Sequence, residues 1–345
     1  MKNNLKFIFI ALFLLFLTYI GAQMYVPTNI GNIQMEIEIP EGSTYKQALK
    51  ILADNNLIRD RNLFVLIGKL YGIDRKIRAG YYVFWGSMSP WQVFKKLVIG
   101  DIIENEITIV EGDSLFEIGR KLDSSKIMTK DDFETLAYDK AFLRFLNINA
   151  PSLDGYLFPE TYRFAKGTKP EAVLKLMVDK LREGFTEELR QRSKEIGFSE
   201  NEVLTLASII EKEASVDKER PLISAVFHNR LKKRMPLQAD PTAIYGVKNH
   251  GEKVTKSDLK NKTKYNTYLI RGLPPGPIAS PGMKSIKAAL YPADEPYLYF
   301  VSNLDRTHSF STTLSEHNEA VKRLRVMQEA KLNRKEIERV KEGEG

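Results

Sequence analysis

Cysteine is missing from all 345 residues, which excludes disulfides, thiolate metal sites, cysteine nucleophiles and a lipidated N-terminal cysteine. Histidine is scarce. His228, His250, His308 and His317 form neither an HExxH pattern nor a close pair, so no metal site is expected. There is no GxSxG elbow and no Walker sequence, which argues against a serine hydrolase of that type and against a P-loop enzyme. Nothing else in the chain asks for a cofactor. Acidic charge is the minority sign: 44 Asp and Glu against 52 Lys and Arg leave a net charge of +8. Elsewhere that excess would point to nucleic acid, but the N-terminus redirects it.

There, Phe7 to Ala22 read FIFIALFLLFLTYIGA without a charge, and continuing to Val26 gives a segment, 7–26, of about twenty residues, enough to cross a bilayer. Lys2 and Lys6 precede it, so residues 1–6 are expected in the cytoplasm and everything after Pro27 outside. A cleaved signal peptide is the alternative, although Ile20 fits a small-residue cleavage pattern poorly. The basic bulk then faces an acidic envelope polymer or the lipid surface, with plain solubility an equal explanation. No nucleic-acid partner is expected.

Two stretches echo each other: EIEIPEGSTYKQALKIL from Glu36 and EITIVEGDSLFEIGRKL from Glu106. Each alternates apolar residues, turns at an EG pair, offers a Ser or Asp able to cap and continues in helical spacing. A second echo links YYVFWGSMSPWQVFKKL from Tyr81 with TYRFAKGTKPEAVLKLM from Thr161, each with proline near a helix start. The spacing predicts a unit of strand, helix, insert, strand and helix occurring twice, over 33–104 and 105–180, with about ten extra residues in the second copy. Neither copy concentrates catalytic residue types, so both are read as a stalk and substrate-holding region. The stretch LDGYLFPETY (Leu153 to Tyr162) is richer in aromatics than a surface needs and is read first as core; its Glu160 is a spare carboxylate.

From Ser199 the texture changes. SENEVLTLASIIEKEAS starts with a capping box, Ser199 and Glu202. At about 100° per residue, Leu206, Ile210, Val203, Ala214, Ala207 and Leu204 form an apolar arc that Glu211 interrupts. Glu213 lies at the opposite margin, and Lys212 faces away. A carboxylate on an apolar face is either paired or raised in pKa. The second outcome suits a general acid; the first would be a structural ion pair, with Arg220 or Arg230. The helix alone does not choose between them.

Polar islands follow. MPLQADPTAIYG carries Gln238, Asp240, Thr242 and Tyr245; YNTY is Tyr265, Asn266, Thr267 and Tyr268. RGLPPGPIASPG, with Ser280, is too rich in Pro and Gly for a helix or strand interior, and TLSEHN contributes Glu316 and Asn318. Rings, amides and hydroxyls on stiff loops around a carboxylic acid describe a carbohydrate cleft better than a phosphate or metal site.

In order, ASIIEKEAS, FHNRL, LQADPTAIYG, YNTY, GLPPGPIASPG, AALYPA, YLYFV and LSEHN resemble the YceG-like family, the endolytic murein transglycosylases. With the apolar N-terminus, the duplicated unit and GYLFPETY, the likeness covers nearly the whole chain. It implies an α+β protein: an N-terminal transmembrane helix, tandem LysM-like modules, a mixed α+β catalytic domain over 181–328 and a charged tail over 329–345. It also implies a single-pass inner-membrane enzyme, its catalytic domain outside the cytoplasm, that cuts nascent peptidoglycan within its glycan strands beside the peptidoglycan synthases. The family's essential glutamate corresponds to Glu211. Glu213 and Asp240 are the nearest candidates for a second carboxylate, and with one of them the protein would be a muramidase-type hydrolase instead. A third possibility is a non-catalytic wall-binding scaffold.

Overall fold

The apolar N-terminal run forms α1 (Lys2–Tyr25) in the computed structural model, which describes residues 2–29, 31–72, 77–247 and 254–343. Asn4–Tyr25 has a mean hydropathy of 2.3 and buries none of its length in the protein, so this helix is long and apolar enough to cross a bilayer. The Arg59 guanidinium donates to the carbonyls of Val26, at 3.0 Å, and Pro27, at 2.6 Å, just past the helix end. The chain as a whole divides into two compact units, residues 1–106 with 163–169 and residues 107–162 with 170–345.

In the first unit, β1 (Gln34–Ile39), α2 (Tyr45–Asp54), α3 (Arg61–Leu70), β2 (Gly80–Trp85) and α4 (Pro90–Ile99) follow one another. β1 and β2 are antiparallel, with Ile37 opposite Tyr82. Because side chains alternate across a strand, Ile37, Ile39, Tyr82 and Phe84 all turn to one core, where Leu49, Leu52, Val93 and Leu97 of the helices meet them. Capping boxes start both long helices, Thr44 with Gln47 and Ser89 with Gln92, and Pro90 supplies the first turn of α4.

The same order recurs in β3 (Glu104–Thr108), α5 (Leu115–Ser124), α6 (Lys130–Tyr138), α7 (Lys140–Phe145), β4 (Thr161–Ala165) and α8 (Pro170–Gly184). β3 pairs with β4, and Ser114 with Glu117 forms the capping box of α5. The predicted repeat is therefore present as elements; the longer insert of the second copy holds α6 and α7 where the first holds α3. The aromatic stretch is core, as its composition indicated: Tyr156, Leu157, Tyr162 and Phe164 are all buried.

Beyond it come α9 (Glu187–Ile196), α10 (Glu200–Glu213), a 3-10 turn (Asp217–Glu219), α11 (Arg220–Lys232), α12 (Asp240–Ile244), α13 (Met283–Leu290), β5 (Tyr299–Ser302), β6 (His308–Ser311) and α14 (Leu314–Gly343). α10 packs along α13, with α9 and α11 beside them. β5 and β6 form an antiparallel hairpin, Phe300 opposite Phe310. As its Pro and Gly content requires, Arg271 to Gly282 is neither helix nor strand. The expected tail runs on as the end of α14; its side chains from 330, like His250, lie outside the described residues.

Candidate active site

The helix α10 is built as the sequence predicts at its start: Ser199 N–H donates to Glu202 Oε2 at 2.8 Å, and Glu202 N–H to Ser199 Oγ at 3.3 Å. Val203 through Ile210 are then buried without a break. Polar members of that run stay satisfied inside it. Thr205 Oγ1 donates to the Asn201 carbonyl at 2.6 Å, and Ser208 Oγ accepts the Ile278 N–H at 3.0 Å, tying the helix to the Pro-rich loop.

Glu211 comes at the end of the buried run with its side chain 5 % exposed. Of the two outcomes open to such a group, the pair is what forms. Arg220 Nη1 donates to Glu211 Oε1 at 2.9 Å, and the Gly282 N–H donates to Oε2 at 2.9 Å. Arg220 is held in turn by Asp217, at 3.1 Å, and by the Ser285 hydroxyl, while Lys284 engages Asp217. Lys212 departs from its expected outward direction. It is half-buried, its Nζ donates to the Gly112 carbonyl at 2.9 Å, and burial lowers its pKa. The reason is the loop from the second repeat copy, which covers that side of α10.

That loop also supplies a residue the sequence did not single out for the site, Glu111. Gly112 N–H donates to the Ser280 carbonyl, and Ser280 N–H to the Asp113 carbonyl, both at 2.8 Å, so two distant segments pair like strands beside α10. Gly112 sits at φ +85°, and a Cβ there would lie 3.7 Å from Lys212 Cδ and 3.9 Å from Glu211 Cγ. A Cβ on Gly282 would overlap the Glu111 carboxyl outright. Glu111 and Glu211 thus converge on Gly282. Burial, and then the charge of Glu211, push the Glu111 carboxyl above its ordinary value, against the pull of Arg220 and Lys284. The one advance sign was the EG pair shared by the two copies.

Glu213 faces a different partner. Burial and the neighbouring Asp240 charge raise it to about 8. Asp240 accepts from the Tyr268 hydroxyl at 2.5 Å. Behind this pair, the Thr242 and Thr267 hydroxyls meet at 2.8 Å, Thr267 Oγ1 accepts the Ala239 N–H at 3.0 Å, and Gln238, at φ +51°, donates its N–H to the Thr267 carbonyl. Asn266 Nδ2 donates to the carbonyls of Leu259 and Asn261. Thr242, Asn266, Thr267 and Ser280 are fully buried; the side chains of the first three and the backbone of Ser280 hold the loops, whereas Gln238 and Asp240 are exposed.

The remaining candidates are dispersed. Tyr245 donates to Asp154 Oδ2 at 2.6 Å, and its ring lies 4.5 Å from that of Tyr265. Tyr245 also lines a cavity of about 480 Å³ together with Phe116, Tyr138, Asp154 and Lys212. Asp154, 1 % exposed, is raised to about 7 by its burial. Glu316 accepts the N–H groups of Thr312, at 3.0 Å, and Thr313, at 3.1 Å, as a cap for α14, with Asn318 exposed one turn on. Glu160 is exposed at the start of β4, where its charge reaches Tyr162 and Lys180.

Residues 37–323 match the sequence profile of the YceG-like family. The chain is similar to a Bacillus subtilis protein named endolytic murein transglycosylase, 35 % identical and covering 83 % of each chain. It is also similar to a protein of the same name from Streptococcus pneumoniae, 27 % identical over 86 % of this chain; it spans 61 % of that relative's length. A crystal structure of a YceG-like protein from Listeria monocytogenes aligns with a TM-score of 0.58 at 34 % identity, over 83 % of this chain and 98 % of the other.

Proposed function

This chain belongs to the YceG-like family, and from that premise we propose that it is an endolytic murein transglycosylase, a lyase acting inside peptidoglycan glycan strands. The observation that carries the reading is the Glu211 carboxyl, at the end of the buried run from Val203 to Ile210 and fixed from both sides by Arg220 and the Gly282 N–H. The bond cut joins C1 of N-acetylmuramic acid to O4 of the following N-acetylglucosamine. A proton must reach O4 as it leaves, another must leave the C6 hydroxyl of the same muramic residue, and O6 closes on C1 to give a 1,6-anhydro end. No water is consumed, so one carboxyl group, Glu211, is enough for both steps, unlike hydrolysis between two flanking carboxylates.

The finer assignments rest on the same reading. Residues 33–104 and 105–180 serve as LysM-like modules that hold the strand, and 181–328 as the catalytic domain. α1 is a single-pass anchor of the inner membrane, with residues 1–6 inside and the rest outside. The strand lies across Gln238, Asp240, Glu316 and Asn318 and the faces of Tyr245, Tyr265 and Tyr268, while Thr242, Asn266, Thr267 and Ser280 shape the loops from behind. Glu213 and Glu160 are supporting carboxylates. Cutting nascent strands ends their elongation, which places the protein beside the synthases that extend them.

Glu211→Gln is expected to abolish anhydro-muramyl ends on uncrosslinked glycan strands, read by mass spectrometry, while binding persists. A variant that cuts at the wild-type rate would remove Glu211 from the chemistry. Reducing ends in place of anhydro ends would make the protein a muramidase, and no cutting by the wild type would leave a wall-binding scaffold.

A further inference from the structure

Glu211 is held by donors on both carboxyl oxygens. Its Oε1 accepts from Arg220 and its Oε2 from the Gly282 N–H, and both partners are donors only. Each oxygen keeps a second lone pair, so a proton can be taken up without breaking either bond. The Glu111 carboxyl, next to it at Gly282, has the opposite character. It is exposed and makes no hydrogen bond among the described residues. The groups facing it are Glu211 from α10, Asp217 from the 3-10 turn, Arg220 from α11 and Lys284 from α13.

We propose that Glu111 is a second catalytic carboxyl, the group that delivers a proton to the departing O4 while Glu211 takes the proton from the C6 hydroxyl. The assignment rests on the transglycosylase reading and changes only which carboxyl gives the proton to O4. In the forward step the C1–O4 bond breaks and the Glu111 proton goes to O4. The O6 proton goes to Glu211, and O6 bonds to C1. Glu111 ends ionised and Glu211 protonated. Passing that one proton from Glu211 back to its neighbour restores the starting state, with no water or other reactant consumed. The held proton that the first step needs is consistent with the raised pKa of Glu111, to which the Glu211 charge contributes.

The geometry also explains why an extra carboxyl here does not create a hydrolase. A hydrolase needs a carboxylate across the sugar ring from the acid, about 5 to 9.5 Å away, to attack or to activate water. Glu111 and Glu211 instead meet at one residue, Gly282.

The test uses the full chain in detergent with uncrosslinked glycan strands, comparing wild type, Glu111→Gln, Glu111→Asp and Glu211→Gln across pH. Glu111→Gln is expected to lower kcat by about 100-fold or more with little change in KM, and to remove the decline in rate that wild type shows as pH rises above the carboxylate range. Glu111→Asp, which keeps an acid on a shorter arm, should recover part of the rate and the decline with pH. A Glu111→Gln rate within about twofold of wild type, with the same pH profile, overturns the proposal if Glu211→Gln is inactive. If Glu211→Gln also cuts at the wild-type rate, the assignment of the site itself fails. Thermal unfolding of Glu111→Gln at the wild-type midpoint is expected, because an exposed carboxyl without a hydrogen bond contributes little to the fold.

Discussion

The two repeat copies contain the same turn in two settings. Glu41-Gly42 and Glu111-Gly112 both follow a strand, both place glycine at positive φ, +78° and +85°, and both lead into a helix started by a capping box. In the first copy a Cβ at Gly42 would meet nothing within 4 Å, and Glu41 stands exposed. In the second, the turn is bonded to Ser280 and lies against Glu211 and Lys212. What differs is the neighbour, not the turn. A local shape that serves only to redirect the chain in one copy becomes, in the other, a bracket that brings a carboxyl to the Gly282 backbone that holds Glu211.

The comparison can be broken most forcefully at the ion pair behind the second turn. Arg220→Ala leaves Glu211 buried without its partner, which is expected to cost about 3–5 kcal/mol. Removing the exposed Lys166 partner of Glu36 in the first unit should cost under about 1 kcal/mol. Chemical denaturation of Arg220→Ala and Lys166→Ala measures both. An equal loss for the two would mean that burial does not distinguish them.

Next in size is Gly282→Ala, whose added methyl overlaps the Glu111 carboxyl and forces that exposed side chain away from Glu211. A displacement of about 1 Å at a reacting group is worth roughly 100-fold in rate, and that loss in anhydro-end formation is expected. Gly42→Ala, strained by positive φ alone, should lose about 1 kcal/mol of stability and no rate. Glu41→Gln should likewise be silent in the assay that registers Glu111→Gln.

A smaller effect separates the units by pH. Asp154 and Glu213, raised to about 7 and about 8, keep their protons in the fold after the unfolded chain has lost them. Their contribution is therefore full below the ordinary carboxylate range and falls as pH rises towards 8. The melting temperature should decline over that window, and Asp154→Asn with Glu213→Gln should flatten the decline. A profile unchanged by both substitutions would contradict the assigned protonation. The least effect is at the helix starts, where Thr44→Ala and Ser114→Ala should each cost about 1 kcal/mol and by similar amounts.

Much of this was legible in the sequence where the signal is local. The repeat follows from alternation and capping residues within each short segment, and Glu211 on the apolar arc follows from helical spacing. Its pairing with Arg220 was one of the two outcomes such a residue allows. Lys212 could not be read, because its covering comes from a loop 100 residues earlier. Glu111 was hidden for the same reason: its meeting with Glu211 depends on the crossing of two remote segments at Gly282. The polar islands were ambiguous in another way. Hydroxyls and amides that bind a sugar look, in sequence, like those that hold a loop together. Thr242, Asn266 and Thr267 are buried and bonded to the backbone, and only the structure separates them from exposed Gln238 and Asp240.

The short ladder between Gly112, Asp113 and Ser280 also governs when during synthesis the Glu211 cluster can form. Residues 111, 211, 220 and 282 meet there, so a chain emerging from its N-terminus carries the two repeat copies long before it carries the whole cluster. A truncated or half-emerged copy lacks the N–H that orients Glu211 and the strand partner that positions Glu111. The Glu111–Glu211–Gly282 arrangement thereby cannot form until most of the chain has been made.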